Sequence, residues 1–488
     1  MEIHWHRRDL RPTDNRALAV ASGAVDADDA GSAEDEHDAD SDSTATSGPV
    51  VPVFVFDDDV LEHAGDARVR YLLDALAELR ASYRERGSDL VVARGGPASV
   101  LPDLAAEYDA DRVVWNKDYS GLARERDAEV RRALNAVDVD RASFHDAIFH
   151  EPGSITTNEG EHYSVYTYFW KKWRDREKPD PIPAPDPDAL AAVDGDDLPT
   201  IAELGFEEPQ ADVQAAGTEP ARERLTEFCA DGIYRYAEDR DYPTRDGVSR
   251  LSTDLKFGTI GIREVYAATA EAREHAAADA VESVEEFQSQ LAWREFYTHV
   301  LFFNPEVVSE NFREYEHEIE WRNDPEELRA WKDGETGYPI VDAGMRQLKA
   351  EAYMHNRVRM IVASFLTKDL QIDWREGYDH FREFLADHDT ANDNGGWQWA
   401  ASTGTDAQPY FRIFNPMTQG ERYDPDAEYI KEYVPELRDV DPDLIHEWHE
   451  LSPTQRARTA GEYPEPIVDH GERREAALAM FEAARGDE

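Results

Sequence analysis

At 488 residues the chain is long enough to bury a large core and to divide into two or more domains. A formal charge of −53 would suit a disordered chain, but 41% hydrophobic and 10% aromatic residues supply a folded core. The charge points instead to adaptation to molar salt, where screening over roughly 3 Å at 1 M removes most self-repulsion. It also excludes any general affinity for polyanions, so a nucleic-acid partner must be met by a local basic, aromatic-lined patch.

Cys229 is the single cysteine, which excludes an intramolecular disulfide and a cysteine zinc site. The start, MEIHWHRRDLR, has no apolar signal region, and no long uncharged apolar run follows. A soluble, cytoplasmic protein that does not engage a membrane is expected.

Residues 3–145 alternate between β-rich runs and helical patterns. Val50–Phe56, Leu90–Val92 and Arg112–Trp115 read as strands, and Ala67–Arg86 and Pro97–Tyr108 as helices with Leu and Ala on one face. The alternation predicts an α/β domain with a Rossmann-like parallel sheet, helices on both sides. Its strands carry no phosphate-cradling glycine motif. An Asp/Ala/Ser/Thr tract from Ala21 to Gly48 reads as a solvated insertion without a function.

Residues 146–215 read as an interdomain linker. They include an aromatic patch, YSVYTYFWKKW (Tyr163–Trp173), and a proline-rich segment, KPDPIPAPDPD, that favours extended backbone. Docking of the patch onto the domains is expected over contact with nucleic acid. From residue 216 to 488 the patterning is helical, near Arg222–Cys229, Arg263–Glu274, Val284–Phe303 and Gly344–Glu351, so an all-helical second domain is expected.

The stretch from Tyr353 to Gln419 concentrates Trp374, Trp397 and Trp399 with Arg357, Arg359, Arg412 and several amides. Core packing does not explain so many polar groups between rings. Tyr353, Asn356 and Met360 at i, i+3 and i+7 predict one helix face. Asp387 and Asp389 precede Gly395-Gly396, read here as a flexible turn that lets a flat group approach. No paired acid/base motif, nucleophile elbow or HExxH-type metal cluster is present, so no metal site is expected and the chemistry is that of a bound cofactor.

The motifs MHNRVRM (Met354–Met360), DWREG (Asp373–Gly377), NGGWQWAASTGTD (Asn394–Asp406) and FRIFNP (Phe411–Pro416) resemble the flavin-binding core of the photolyase/cryptochrome family. The closest likeness is to class I cyclobutane pyrimidine dimer photolyases, and it runs from WHRRDLR to PELRDV, most of the chain. The resemblance implies FAD in a folded conformation. Its contacts would come from Tyr236, Val248, Ser249, Arg250, Leu251, Ser252, Phe287, Arg359, Asp387, His388, Asp389 and Asp393. Ser249 and Ser252 beside Arg250 suit a pyrophosphate, although Val248 stands where the family usually has threonine. Trp397, Trp374 and Trp321 match an electron-transfer chain from flavin to surface.

The resemblance further implies that excited, reduced flavin lends an electron to a pyrimidine dimer in UV-damaged DNA and regains it when the ring has split. The dimer must be flipped out of the duplex to reach it. Trp293 and Trp399 match the aromatics that sandwich the dimer, Asn356 and Met360 the pocket walls. Arg240, Arg357 and Gln419 match the rim or the DNA backbone, and Gln290, Arg294 and Tyr297, close to Trp293 in sequence, are implied as further DNA- or lesion-binding residues. Residues 1–145 resemble the antenna domain, with Asn116, Asp118 and Lys256 at a second chromophore, an 8-hydroxy-deazaflavin or a methenyltetrahydrofolate. A monomer is expected.

Two departures bear on function. Asp393 stands where repair enzymes usually have asparagine near flavin N5, and plant-type cryptochromes also carry aspartate there; a carboxyl can donate a proton to that nitrogen. Gln290 stands where dimer photolyases commonly have glutamate, and it offers a hydrogen bond without charge. A blue-light photoreceptor is therefore the alternative to dimer repair, although the complete pocket and the lack of a long tail after the family core favour repair.

Overall fold

The computed structural model describes residues 1–26 and 48–486. The expected insertion therefore lies, except at its ends, outside the described residues. Five strands, β1 (Glu2–His6), β2 (Val50–Phe56), β3 (Val91–Arg94), β4 (Arg112–Asn116) and β5 (Asp140–Phe144), form one parallel sheet in the order β3-β2-β1-β4-β5. Trp5 of β1 lies opposite Val53 of β2 and Trp115 of β4.

Side-chain alternation divides the strands between two cores. Ile3, Trp5, Val51, Val53, Val113 and Trp115 pack on one face with Leu101, Leu104 and Val130. Val50, Phe54, Phe56 and Val114 pack on the other with Leu18, Tyr71, Leu76 and Leu79. Both faces are covered, which is why VVPVFVF is apolar throughout. Pro52 sits in an interior strand without breaking a ladder, because β3 begins to pair with β2 only at Val53.

The rest is helical. The largest core gathers the helices Pro325–Asp333, Pro339–Glu351, Asn356–Ser364, Trp374–Phe384, Thr390–Ala401, Pro416–Tyr423 and Glu428–Tyr433. Another joins Thr218–Ala230, Ile262–His275 and Val281–Phe303 to the linker. Within that linker the aromatic patch forms a helix, Tyr166–Asp175, which buries Tyr166, Phe169 and Trp173 at i, i+3 and i+7. It docks, as expected, although its helical form was not anticipated. The proline-rich segment that follows is irregular.

Sheet and helical parts are locked together by buried charge. Arg263 lies 2.5 Å from both Asp14 and Asp146, and Arg11 lies 2.5 Å from Asp146. All four side chains are at most 2% exposed. Tyr71 Oη donates to Asp254 at 2.7 Å across the same junction.

Candidate functional site

Three helices in the helical part each leave a narrow half-open stripe in an otherwise buried surface. Between Phe287 and Leu301, only Gln290, Trp293, Arg294 and Tyr297 escape full burial, at i, i+3, i+4 and i+7. On Thr390–Ala401 the open positions include Asn392, Asp393, Gly396 and Trp399. On Asn356–Ser364 they are Asn356, Arg357, Arg359 and Met360, while the remainder is buried. The first and third of these helices both pack on the second. Tyr297 lies against Gly395, and Arg359 Nη1 lies 3.8 Å from Asp393, which brings the stripes to one opening.

Two local expectations are corrected. Gly395-Gly396 is not a turn but lies inside the Thr390–Ala401 helix, whose N-terminus Asp389 caps by accepting from Asn392 N at 3.1 Å. A Cβ on Gly395 would come within 2.2 Å of the Tyr297 ring, so this glycine serves close helix approach. At Gly396 a Cβ would meet nothing within 4 Å, so that position borders open space. Tyr353 does not share a helix face with Asn356 and Met360. The preceding helix ends in a left-handed Ala352 (φ 51°), and His355 caps a new one by accepting from Arg357 N at 3.2 Å. Asn356 and Met360 do share a face, with Nδ2 and Sδ 3.8 Å apart. Tyr353 instead stacks under Arg250, whose guanidinium carbon is 3.8 Å from the ring centroid.

A carboxylate cluster forms one wall. Asp387 Oδ2 accepts from Arg359 at 2.7 Å, whereas its Oδ1 is buried with no partner. Asp393 Oδ2 lies 2.7 Å from His388 Nδ1 and accepts from Asp389 N at 3.2 Å. Burial alone would raise the Asp389 carboxyl, but Arg8, Arg294 and Asn392 hold it well below the usual range. Arg8 also donates to Asp118 at 3.2 Å, and its Nε donates to the Lys256 carbonyl at 3.1 Å. Thus one arginine of the sheet domain ties an expected antenna residue to an expected flavin residue. Only its position in WHRRDLR pointed to it.

Ser249, Arg250 and Ser252 lie just before or at the start of the Ser252–Phe257 helix, with Val248 beside them. The side chain of Leu251 gives that start no cap. Arg250 Nη2 donates to Glu351 at 2.8 Å. Tyr236 and Phe287 are buried edge to face, 5.2 Å between centroids. Burial raises the Tyr236 hydroxyl to about 12.

Trp397 and Trp374 are fully buried in the main core, and Trp321 packs half-buried at its border. Phe381 lies 4.9 Å from Trp397 centroid to centroid, Trp374 Nε1 donates to Asn311 at 2.9 Å, and Trp321 meets Phe481 edge-on at 6.0 Å. Trp397 Nε1 is buried without a partner.

The cations expected at the rim are engaged by acids that sequence reasoning missed. Arg357 Nη2 lies 2.7 Å from Asp241 and its guanidinium covers Tyr423. Arg240 pairs with Glu286, which also accepts from Gln290 Nε2 at 3.0 Å. Arg294 donates to the carbonyls of Ala147 at 2.6 Å and Leu255 at 3.0 Å, tying its helix to the linker. Trp293 stacks on Tyr166 at 3.7 Å and 11°. Gln419 is half-buried in Pro416–Tyr423.

On the sheet domain, a small cavity is lined by Arg7, Arg8, Asp9, Asn116, Lys117, Asp118, Asp146 and Ala147. Asn116 bonds inward, donating to Asp9 at 2.6 Å and Asn15 at 2.8 Å and accepting from Ala17 N at 3.0 Å. Burial, with Arg68 and Arg8 nearby, draws the Lys256 ammonium well below the ordinary lysine range.

Comparison with known proteins gives this geometry its family. Residues 2–187 match the family model described as DNA photolyase, and residues 287–483 match the FAD binding domain of DNA photolyase. A deoxyribodipyrimidine photo-lyase of Halobacterium salinarum is 65% identical over 494 aligned residues, covering 100% of both chains. Among solved structures, a bacterial class III photolyase from Agrobacterium tumefaciens superposes with TM-score 0.88 at 36% identity, covering 99% of this chain and 98% of that one. An archaeal photolyase from Sulfolobus tokodaii with two FAD molecules gives TM-score 0.80 at 31% identity, covering 99% and 100%. The chain belongs to the DNA photolyase family, and its helical part carries that family's FAD-binding domain.

Proposed function

We propose that this protein is a light-driven repair enzyme for cyclobutane pyrimidine dimers in UV-damaged DNA. The observation that carries it is the convergence of half-open aromatic and amide stripes from three buried helices beside a carboxylate oxygen, Asp387 Oδ1, that lacks a partner. When bound and reduced, FAD supplies the photochemistry, lending one electron on excitation and regaining it after the cyclobutane bonds open.

The residues present fit that cofactor. Asp387 Oδ1 is an open acceptor for a hydroxyl or a ring N–H, and the space at Gly396 admits a flat group. Ser249, Arg250 and Ser252 would hold the pyrophosphate, with Tyr236, Leu251 and Phe287 packing beside them. Arg359, His388, Asp389 and Asp393, with Asp387, form the carboxylate wall that would border the flavin. Trp293 and Trp399 receive the flipped dimer between their rings, with Asn356 and Met360 as walls, and Gln290 donates to a thymine carbonyl. Arg240, Arg357 and Gln419 meet the DNA at the rim. Trp397, Trp374 and Trp321 would carry electrons inward to the bound flavin during photoreduction. Asp393 Oδ2 accepts from Asp389 N and lies 2.7 Å from His388 Nδ1, and this engagement within the protein supports repair over the receptor reading.

Asn116, Asp118 and Lys256 would border a second chromophore bound against the sheet domain, since the cavity between them is itself only about 10 Å³. The division at 1–145, 146–215 and 216–488 separates antenna, linker and FAD/DNA units. The protein works as a cytoplasmic monomer. No helix among the described residues is long and apolar enough to cross a membrane.

Two variants test the assignments. Trp399→Ala should lose preference for dimer-containing over undamaged DNA while retaining flavin absorbance; unchanged preference would remove it from the pocket. Trp397→Phe should slow photoreduction yet repair normally once chemically reduced, and undiminished photoreduction would refute the electron path.

A further inference from the structure

The linker helix Tyr166–Asp175 has two faces of different character. One buries Tyr166, Phe169 and Trp173. The other exposes Tyr168, Lys171, Lys172 and Arg174 to solvent, with Tyr168 57% accessible. Tyr168 stacks loosely on Tyr163, 6.5 Å between centroids, and Lys171 reaches over it at 5.7 Å. From Tyr166 to Lys178 the sequence carries five cations against two acids, in a chain with twice as many acids as bases. The rim arginines are paired with carboxylates, but Lys171 and Lys172 have no acidic partner among the described residues. Such a run is a local reversal of the molecule's field.

Its position gives the reversal a use. Tyr166, at the helix start, stacks on Trp293 at 3.7 Å and donates through Oη to Ser289 O at 2.6 Å. The helix therefore starts beside Trp293 and runs along the Val281–Phe303 helix, with Phe169 5.4 Å from Phe296 and 5.1 Å from His299 between ring centroids. Lys171 and Lys172 follow Tyr166 by five and six residues, about 8 to 9 Å along the helix axis, on the order of two to three base-pair steps at 3.4 Å each.

We propose that this face is a docking strip for the phosphodiester backbone of the duplex flanking the lesion, with Lys171 and Lys172 as phosphate contacts and Tyr168 packing against the sugar edge. This rests on the repair reading above, since that reading places the dimer at Trp293. Charge complementarity selects the occupant: the mean field repels DNA, so the duplex arms need local cations that no internal acid neutralises.

The test is a K171Q/K172Q double variant of the full chain carrying FAD. Both side chains are exposed, so the melting temperature should not move, and K171R/K172R should behave as wild type. Affinity for a long duplex, with or without a dimer, is measured across a series of KCl concentrations. The slope of log affinity against log salt should become shallower by about 2 in the Gln variant, one for each lost phosphate contact. Affinity for a short single strand ending beside the dimer, and its repair in light, should be unchanged. Equal slopes for wild type and variant would overturn the strip, as would retention of anionic vesicles by wild type alone with DNA binding unaltered. If wild type fails to repair the short strand in light, the repair reading falls, and the slopes on undamaged duplex still decide the strip.

Discussion

Gly377 shows how closely the site depends on single atoms. A Cβ there would sit 2.1 to 2.6 Å from three carbons of the Trp397 indole, so the Trp374–Phe384 helix can pack on this ring only without a side chain. Overpacking of this kind costs about 1 to 3 kcal/mol. Gly377→Ala is expected to lower the melting temperature and to weaken flavin retention, read as absorbance lost on gel filtration. Retained flavin and an unchanged melting temperature would show that Trp397 has room to move. The sequence singled out Trp397 and DWREG, yet the reason for glycine in that motif lies in a contact twenty residues along the chain. Asp241 and Glu286 were missed similarly, because acids in an acidic chain carry no local signal until their arginine partners are located in space.

At the scale of elements, apolar β-rich runs located β2, β3 and β4, because both faces of the sheet are buried, and period-3.6 patterns located several of the longer helices, each with one buried face. Patterning failed where tertiary contact overrides local preference. Gly-Gly reads as a turn, yet it lies mid-helix because Tyr297 occupies the space of a Cβ. The Tyr353 helix is broken at Ala352, and the linker helix was hidden in a run of aromatics. The Arg11–Asp146–Arg263–Asp14 network was also illegible, because its members lie far apart in sequence. Removing one partner from a buried pair strands the other charge, at about 3 to 5 kcal/mol. Arg263→Ala should therefore destabilise by that amount in urea unfolding at molar salt. A loss under about 1 kcal/mol would mean that water or another cation reaches the pair.

For the molecule as a whole, composition gave the solvent and the family motifs gave the chemistry, but neither gave the pH response. Burial pushes His6 and His380 down to about 3 and His355 down to about 4, from an ordinary 6.5. The unfolded chain takes up these protons near pH 6.5 and the native chain refuses them until pH 3 to 4. Their contribution to stability is thus complete above 6.5 and is lost as pH falls toward 3 to 4. Protonating surface acids would offset this by relieving repulsion, but over roughly 3 Å of screening length at 1 M salt that relief is small. Thermal stability in molar KCl is expected to begin falling below pH 6.5, and the decline should be gentler in His380→Phe. A decline as steep in His380→Phe as in the unaltered protein would show that His380 is not held neutral.

The same salt sets the conditions for the most direct test of function. Protein loaded with FAD and chemically reduced is mixed with a thymine-dimer oligonucleotide in molar KCl, and one half is kept dark while the other receives blue light. Return of thymine absorbance in the illuminated half alone is the predicted result. No return in light, with the flavin reduced and the dimer strand bound, would contradict repair and turn attention to Asp393 and a signalling role.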